Sequence, residues 1–354
     1  KSLNKKQRKA VEKIGGPVLV FAGAGSGKTR VLTSKIAYLI ESIGLPPDKI
    51  LAVTFTNKAA QEMKSRVFDL VKSDIAGISI GTFHSIGAMI LRKEIHLINY
   101  ENNFTIYDAQ DSKGLIKNTI KELEFDLKMY DPRSVQIRIS NAKNTMQMPE
   151  DILSVSDDAN INQKKFVEIY KMYQKKLKEN NALDFDDLLL LPLKIFNEFP
   201  DRLLFYQNKF QYVLVDEYQD TNKPQFELIF LLTKDRQDIF VVGDDDQSIY
   251  SWRGAEIKNF LNFDKIYKNS KKIKLEQNYR STQNILSAAS GLISKNLGRL
   301  GKKLWTEGED GELVKLNCYK NGKNEAINIS DIIEKKLKKK FSYNNIAILV
   351  RAIF

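Results

Sequence analysis

The sequence predicts an α/β fold: a doubly wound, mostly parallel sheet carrying a helical insertion. Three observations lead there. Short, nearly continuous apolar runs (VLVFA at 18–22, ILAVTF at 50–55, YVLVD at 212–216, IFVVGD at 239–244) read as strands buried on both faces. Turn residues and a segment of helical period follow each run, which is the rhythm of βαβ units. From about residue 87 to 181 that rhythm stops, and helical segments follow one another.

Bulk composition narrows the class. A chain of 354 residues allows two to three domains, at roughly 100–200 residues each. The 42% hydrophobic content supplies sizeable cores. No run approaches the about 18 apolar residues of a membrane span. The basic start, KSLNKKQRKAVEK, lacks the apolar run of a secretory signal. A single cysteine, Cys318, excludes an internal disulfide and a cysteine-rich metal site. Two histidines, His84 and His96, argue against a histidine metal cluster. A cytoplasmic protein is expected. The net charge of +12 fits a polyanionic partner such as nucleic acid, and equally a general lysine bias.

Taken in order, residues 2–14 read as a short helix with Ser2 or Asn4 as N-cap, closed by Gly15-Gly16-Pro17. After strand 18–22 and a glycine-rich loop, a helix runs to about Ser42 with Val31, Leu32, Ile36, Leu39 and Ile40 on its buried face. Strand 50–55 leads to a helix capped by Thr56-Asn57 and ending near Val71. A third strand, 78–80, ends in Gly81-Thr82-Phe83-His84-Ser85. Within the insertion, 109–125, 135–146 and 163–180 read as helices, the last with a core stripe of Phe166, Ile169, Tyr170, Tyr173 and Leu177. Alternation resumes with a helix over 184–196 that Pro192 is placed to interrupt. Strand 212–216, a helix over 224–232 opened by Pro224, and strand 239–244 follow. A helix near 256–261, strand 272–275 and a helix over 282–295 follow. Beyond about Asn278 a second α/β unit begins: strand 313–318, helix 323–339, strand 346–350. Too few strands follow for a complete sheet, so the chain is expected to be the N-terminal part of a longer protein.

The chemistry concentrates in three stretches. VLVFAGAGSGKT at 18–29 sets a strand, a glycine-rich loop and Gly27-Lys28-Thr29 at a helix start, the layout of a phosphate-binding loop. Gly23, Gly25 and Gly27 are expected to take positive φ and let the backbone approach a phosphate. Lys28 can neutralise the β- and γ-phosphates, and the Thr29 hydroxyl can take a Mg²⁺ position. Ala22 stands where the strict pattern has glycine. A glycine-rich turn without ligand is the rival reading. The second stretch delivers Asp216 and Glu217 at the end of an apolar strand, where open α/β sheets bind ligands. Asp216 is placed to hold Mg²⁺ and Glu217 to deprotonate water, against the alternative of a solvated turn. The third, VVGDDDQSIYSWRGA at 241–255, offers Gln247 as an uncharged γ-phosphate sensor. Its Tyr250, Trp252 and Arg253 can stack on bases and meet a phosphate, or the two aromatics can be ordinary core.

With these stretches in view the chain resembles the N-terminal half of a superfamily 1A DNA helicase of the UvrD/PcrA/Rep type. The resemblance rests on Leu3-Asn4 with Gln7, AGAGSGKT at 22–29, TFTNKAA at 54–60, GTFHS at 81–85, DFDDLL at 184–189, VDEYQDTN at 215–222, GDDDQSIYSWRGA at 243–255 and LEQNYRS at 275–281. GRLGKKLWTEGEDGE at 298–312 looks closest to the UvrD branch. Ala22 belongs to this family's pattern.

The resemblance implies RecA-like domains: an ATP-binding domain over 1–86 and 182–278, a helical insertion over 87–181, and the truncated first part of a second RecA-like domain over 279–354. It implies that ATP meets Gln7, Ala22, Gly23, Ala24, Gly25, Ser26, Gly27, Lys28, Thr29, Arg30, Tyr279 and Arg280. Gln7 would read the adenine edge, Tyr279 would stack on the base, and Arg280 would act as an arginine finger. Lys28, Glu217, Gln247 and Arg280 would be catalytic, with Thr29 and Asp216 on Mg²⁺. Phe55, Thr56, Asn57, Phe83, His84, Tyr250, Trp252 and Arg253 would line the single-strand path; in isolation a lone histidine after a strand, as His84 is, is more often a structural hydrogen bonder. The implied activity is ATP-dependent 3′→5′ translocation and unwinding in repair or replication. The implied partners are single-stranded DNA, single/double-strand junctions and repair or replication proteins, with a monomer as default and no membrane. Two rivals remain: a nucleotide- and DNA-binding module without turnover, and the motor part of a helicase–nuclease.

Overall fold

The computed structural model describes residues 2–72, 74–154, 161–296, 299, 301–339 and 341–350, without the side chains of Leu153, Ser154 and Arg253. Asn4, rather than Ser2, caps α1 (Lys5–Glu12). Its side chain accepts from the Gln7 N–H at 2.8 Å, and Gln7 Oε1 accepts from the Asn4 N–H at 3.0 Å. This reciprocal box satisfies two donors that a helix start otherwise leaves open. Strand β1 (Val18–Ala22), α2 (Lys28–Glu41), β2 (Ile50–Thr54), α3 (Asn57–Leu70) and β3 (Ser79–Thr82) follow. Helix α4 (Phe83–Glu94) starts within the stretch expected to be the exit of the third strand.

The insertion holds β4 (Thr105–Ile106), α5 (Ala109–Glu122), α6 (Pro132–Asn144), α7 (Pro149–Ser154) and α8 (Ile161–Glu179), and β5 (Ala182–Leu183) closes it. It is not wholly helical, because β4 and β5 pair in parallel and tie its two ends together. Helix α9 (Asp187–Glu198) begins three residues later than expected and runs through Pro192. Asp184 accepts from the Asp187 N–H at 3.0 Å, so this residue serves the helix start from outside it. Helices α10 (Pro200–Lys209) and α11 (Lys223–Thr233), with β6 (Tyr212–Val215), β7 (Ile239–Gly243) and β8 (Lys271–Leu275), complete the central unit.

The sheet order is β3-β2-β6-β7-β1-β8 and every pairing in it is parallel. All six strands therefore end at one edge. Alternate residues of each strand feed two cores. Leu19, Phe21, Val53, Val213 and Val241 face α4, α9 and α11 on one side. Val18, Val20, Ala52, Leu214 and Val242 face α1, α2 and α3 on the other. A third cluster, around Ile116, Ile139, Phe166, Tyr170 and Tyr173, belongs to the insertion, with the expected aromatic stripe at its centre.

The second α/β unit differs from expectation. Its helix forms over Gly322–Leu337 with no buried residue. Residues 313–318 and 346–350 form no strand. Leu316 and Leu349 are more than nine-tenths exposed. A strand is stabilised by a hydrogen-bonding neighbour, and these extended segments have none among the described residues.

One buried ion cluster joins the insertion to α9. Lys143 Nζ donates to Asp184 Oδ2 at 2.6 Å and to Asp187 Oδ1 at 2.7 Å. Tyr173 Oη also donates to Asp184 Oδ2, at 3.0 Å. Burial opposes the lysine's charge, but Asp184 and Asp187 outweigh it and hold the ammonium protonated. Burial and then Asp184 push the Asp187 carboxyl up to about 7. Removing the cation strands two buried carboxylates. We expect Lys143→Met to cost about 3–5 kcal/mol of stability, and Asp184→Asn in the same chain to recover part of it. Urea unfolding of the single and double variants measures both.

Candidate nucleotide site and nucleic-acid face

The loop after β1 wraps over the start of α2. Gly25 and Gly27 take positive φ, at 68° and 88°, as expected. Gly23 does not: a Cβ there would fall 2.2 Å from Leu304 Cδ2, so glycine serves close packing at that position. Among the described residues, the N–H groups of Gly25, Gly27, Lys28 and Thr29 donate to no protein acceptor. Unpaired donors at a helix N-terminus form an anion-binding cradle.

Lys28 Nζ donates to Glu217 Oε2 at 2.7 Å and to Gln247 Oε1 at 3.3 Å. Glu217 Oε2 also accepts from Gln219 Nε2 at 2.9 Å, and Gln219 Oε1 accepts from the Asp244 N–H at 2.9 Å. Gln247 Nε2 donates back to Asp244 Oδ2. The five residues close a polar circuit across the ends of β1, β6 and β7. Glu217 sits at φ 48°, ψ 42°, a left-handed conformation that a non-glycine residue adopts at a cost. Burial, and then the Glu217 charge, push Asp216 up to about 6; the same two causes push Asp220 to about 6. Three acids thus face one lysine. That oxygen-rich excess of negative charge suits a hard divalent cation, and Thr29 adds a hydroxyl at the same edge.

Residues after β8 lie on the loop from the other side. Asn278 Nδ2 donates to Ala24 O at 2.7 Å, and the Tyr279 N–H to Gly25 O at 2.9 Å. The Tyr279 ring is half exposed, and its hydroxyl accepts from Asn4 Nδ2 at 2.7 Å and donates to Gln277 Oε1 at 2.8 Å. Arg280 is exposed beside Gly25 and makes no ion pair with a described carboxylate. Gln7 is buried, and its Nε2 donates to Ser26 O at 2.9 Å. Ala22 is fully buried in β1, which leaves its neighbours rather than its side chain facing the loop. Ala24 is exposed in the loop, and Arg30 is half-buried in the first turn of α2.

Sequence reasoning missed two cations. Lys302 Nζ meets Asp244, Asp245 and Asp246, and Arg299 pairs with both Asp246 oxygens at 2.6 and 2.7 Å. Burial opposes the Lys302 charge, and the three carboxylates, Asp244 first, outweigh it. The triple Asp at 244–246 signals a cation, but nothing local says which one.

The aromatic face follows the neighbouring strands. Phe55 follows β2 directly and packs edge-on against Phe83, with ring centroids 5.4 Å apart. Phe83 corrects the expectation: it is 1% exposed, a core residue that supports Phe55 from beneath. The Thr56 hydroxyl is engaged as the α3 cap, accepting from the Ala59 N–H at 3.1 Å, and Asn57 is exposed beside it. His84 lies against Phe185, with ring centroids 4.2 Å apart. Phe185, more than half exposed, was not foreseen, although an aromatic between the acids of DFDDLL was its signal. Tyr250 and Trp252 are exposed after β7, with ring centroids 6.3 Å apart, so they are not core. The Arg253 side chain lies outside the described part.

Burial lowers His84 from 6.5 to about 4, so the ring is neutral at physiological pH. A depressed folded-state pKa contributes stability above the unfolded value that is lost as pH falls through the folded one. Urea midpoints should therefore decline as pH falls from 6.5 towards 4, and less so in His84→Phe.

Comparison with known families matches residues 3–268 to the UvrD/REP helicase N-terminal domain and residues 273–353 to the UvrD-like helicase C-terminal domain. The chain is 45% identical over 351 residues to the ATP-dependent DNA helicase PcrA of Leuconostoc citreum, covering 99% of this chain and 47% of that protein. To the protein of the same name from Bacillus subtilis (strain 168) it is 49% identical over 323 residues, covering 91% of this chain and 43% of that protein. It thus spans about half the length of the curated relatives it matches. No described helix is long and apolar enough to cross a membrane. On the match over most of its length, the chain belongs to the UvrD/REP helicase family.

Proposed function

We propose that this chain is the motor portion of an ATP-dependent helicase that translocates 3′→5′ along single-stranded DNA and serves repair or replication. The polar circuit through Lys28, Glu217, Gln219, Asp244 and Gln247 carries the reading, because it shares a sheet edge with the exposed aromatics Tyr250 and Trp252. The naming of the relatives as ATP-dependent DNA helicases supports it. We assign 1–86 and 182–278 to the ATP-binding domain, 87–181 to an insertion, and 279–354 to the first part of a second domain.

In this reading the free N–H groups of the loop and α2 bind the ATP phosphates. Lys28 exchanges Glu217 and Gln247 for phosphate oxygens. Glu217 is then free to take a proton from the attacking water, and Gln247 to turn its amide towards the γ-phosphate. Arg280 stabilises charge developing there, and Tyr279 offers its ring to the base. Mg²⁺, held by Thr29 and Asp216, neutralises phosphate charge when bound. One segment carries both Gln247 and the Tyr250–Trp252 pair, so a change at the phosphate reaches the DNA face along a short stretch of backbone.

A second reading, nucleotide and DNA binding without turnover, is favoured by the unpaired segments 313–318 and 346–350. DNA-stimulated ATPase assays separate the two. Turnover by a full-length relative but not by residues 1–354 supports the second reading for this chain. In a turning-over protein, Glu217→Gln should lower kcat by about 10²–10⁴-fold, and Lys28→Ala should abolish stimulated hydrolysis. Full activity in both variants sinks the helicase reading.

A further inference from the structure

Lys35 is fully buried in the middle of α2, and no described carboxylate reaches its ammonium within salt-bridge distance. Its Nζ donates instead to Val11 O at 3.0 Å and Lys13 O at 2.6 Å. The rings of Tyr38, Tyr212 and Phe240 surround it at 5.3–5.7 Å. Burial, then repulsion from Lys13, lower its pKa to about 8, with Asp238 opposing. A buried cation without a paired anion is costly, and its two acceptors show what it holds. They are carbonyl oxygens at the C-terminal end of α1, which the helix itself leaves unpaired.

Helix α1 needs such an anchor. Its eight residues bury only two apolar side chains, Ala10 and Val11, beside the buried Gln7. Its other end carries Gln7, which reaches Ser26 O in the phosphate loop. That end is also tied to the residues after β8, through Asn4 to Gln277 and Tyr279 and Lys6 to Glu276. The helix is about 12 Å long, so a rotation at its C-terminal end displaces Gln7 from the loop. Lys35 stands two turns beyond Lys28 on the same helix, α2.

We propose that Lys35 is a positioning residue for nucleotide-base recognition: by pinning the end of α1 to α2, it fixes Gln7 against the phosphate loop. Phosphate and base recognition would then hang from one helix, directly through Lys28 and indirectly through Lys35. The inference rests on the reading of Gln7 as the group that meets the adenine edge.

Steady-state DNA-stimulated ATPase tests it, with ATP and GTP as alternative substrates. Lys35→Met keeps the volume in an aromatic-lined site and removes the charge and the donors. Losing two hydrogen bonds from a charged donor should raise the KM for ATP by about tenfold or more, with kcat within about twofold of the parent. Preference for ATP over GTP should fall by a similar factor. Gln7→Ala should lower the same preference, and the Gln7→Ala/Lys35→Met pair should lower it no further than either alone, because both act through one contact. Lys35→Arg keeps a cation with donors and should restore most of the KM. Lys35→Gln, an uncharged donor, is made alongside so that a failure of Lys35→Met to fold still leaves a reading; its KM should also rise. If Gln7→Ala relaxes base preference while folded Lys35→Met or Lys35→Gln does not, the positioning role is overturned and base reading by Gln7 stands. If Gln7→Ala leaves the preference intact, base reading fails and the Lys35 proposal falls with it. A loss confined to kcat, at unchanged KM, also overturns it.

Discussion

Lys28 reaches Glu217 from the first turn of α2 at 2.7 Å, and this ion pair organises everything else at the sheet edge. Glu217 occupies a left-handed backbone conformation, which for an ordinary residue costs about 1–2 kcal/mol. The surroundings over-determine it. Gln219 holds its carboxylate, the Asp244 N–H holds Gln219, and Lys302 holds Asp244. With Asp216 and Asp220 alongside, the site carries more acid than Lys28 can balance. A polyphosphate competes for the lysine and leaves the acids without it. In the proposed function that competition exposes the base only when there is something to hydrolyse.

The strand order explains how such a site can share an edge with an aromatic surface. Strands β3 and β2 end in the Phe55 and His84 region, and β1 ends in the glycine-rich loop. Strands β6 and β7 lie between them. The segment after β7 supplies Gln247 to one side and Tyr250 and Trp252 to the other. A parallel sheet permits this because every strand releases its chain at the same edge. An antiparallel neighbour at β7 would have carried one of these groups to the opposite end.

The central strands were legible because burial on both faces leaves an uninterrupted apolar run, as in ILAVT and IFVVG. The loop, the acids and Gln247 were legible because their chemistry needs fixed residue types at short spacing. What escaped depends on partners distant in sequence. Two-residue strands such as Thr105–Ile106 carry no period to detect. Phe83 looked like a surface aromatic because it follows a strand and neighbours His84, but α4 starts at that residue and turns its ring inward. Segments 313–318 and 346–350 have strand composition without a neighbour, and composition alone makes no ladder. Lysine is the extreme case. Of its many copies, nothing local marks Lys35 and Lys143 as fully buried.

Those two buried lysines and the half-buried Lys302 share a position in the architecture. Lys143 fastens the insertion to α9, Lys302 fastens the segment after β8 to the acids after β7, and Lys35 fastens α1 to α2. Each stands at a seam between elements. Apolar residues of similar volume often stabilise such places at least as well, so stability alone does not account for the charges. An apolar contact tolerates sliding; an ammonium with fixed acceptors does not. The three seams differ in one respect. Carboxylates raise the pKa of Lys143 and Lys302, so both remain charged throughout the physiological range. Lys35 has only carbonyls and aromatic faces, which cannot fully offset its lost hydration, and its pKa falls to about 8. The joint that supports Gln7 is therefore the weakest electrostatically of the three. Directional hydrogen bonds, rather than charge pairing, must supply its rigidity.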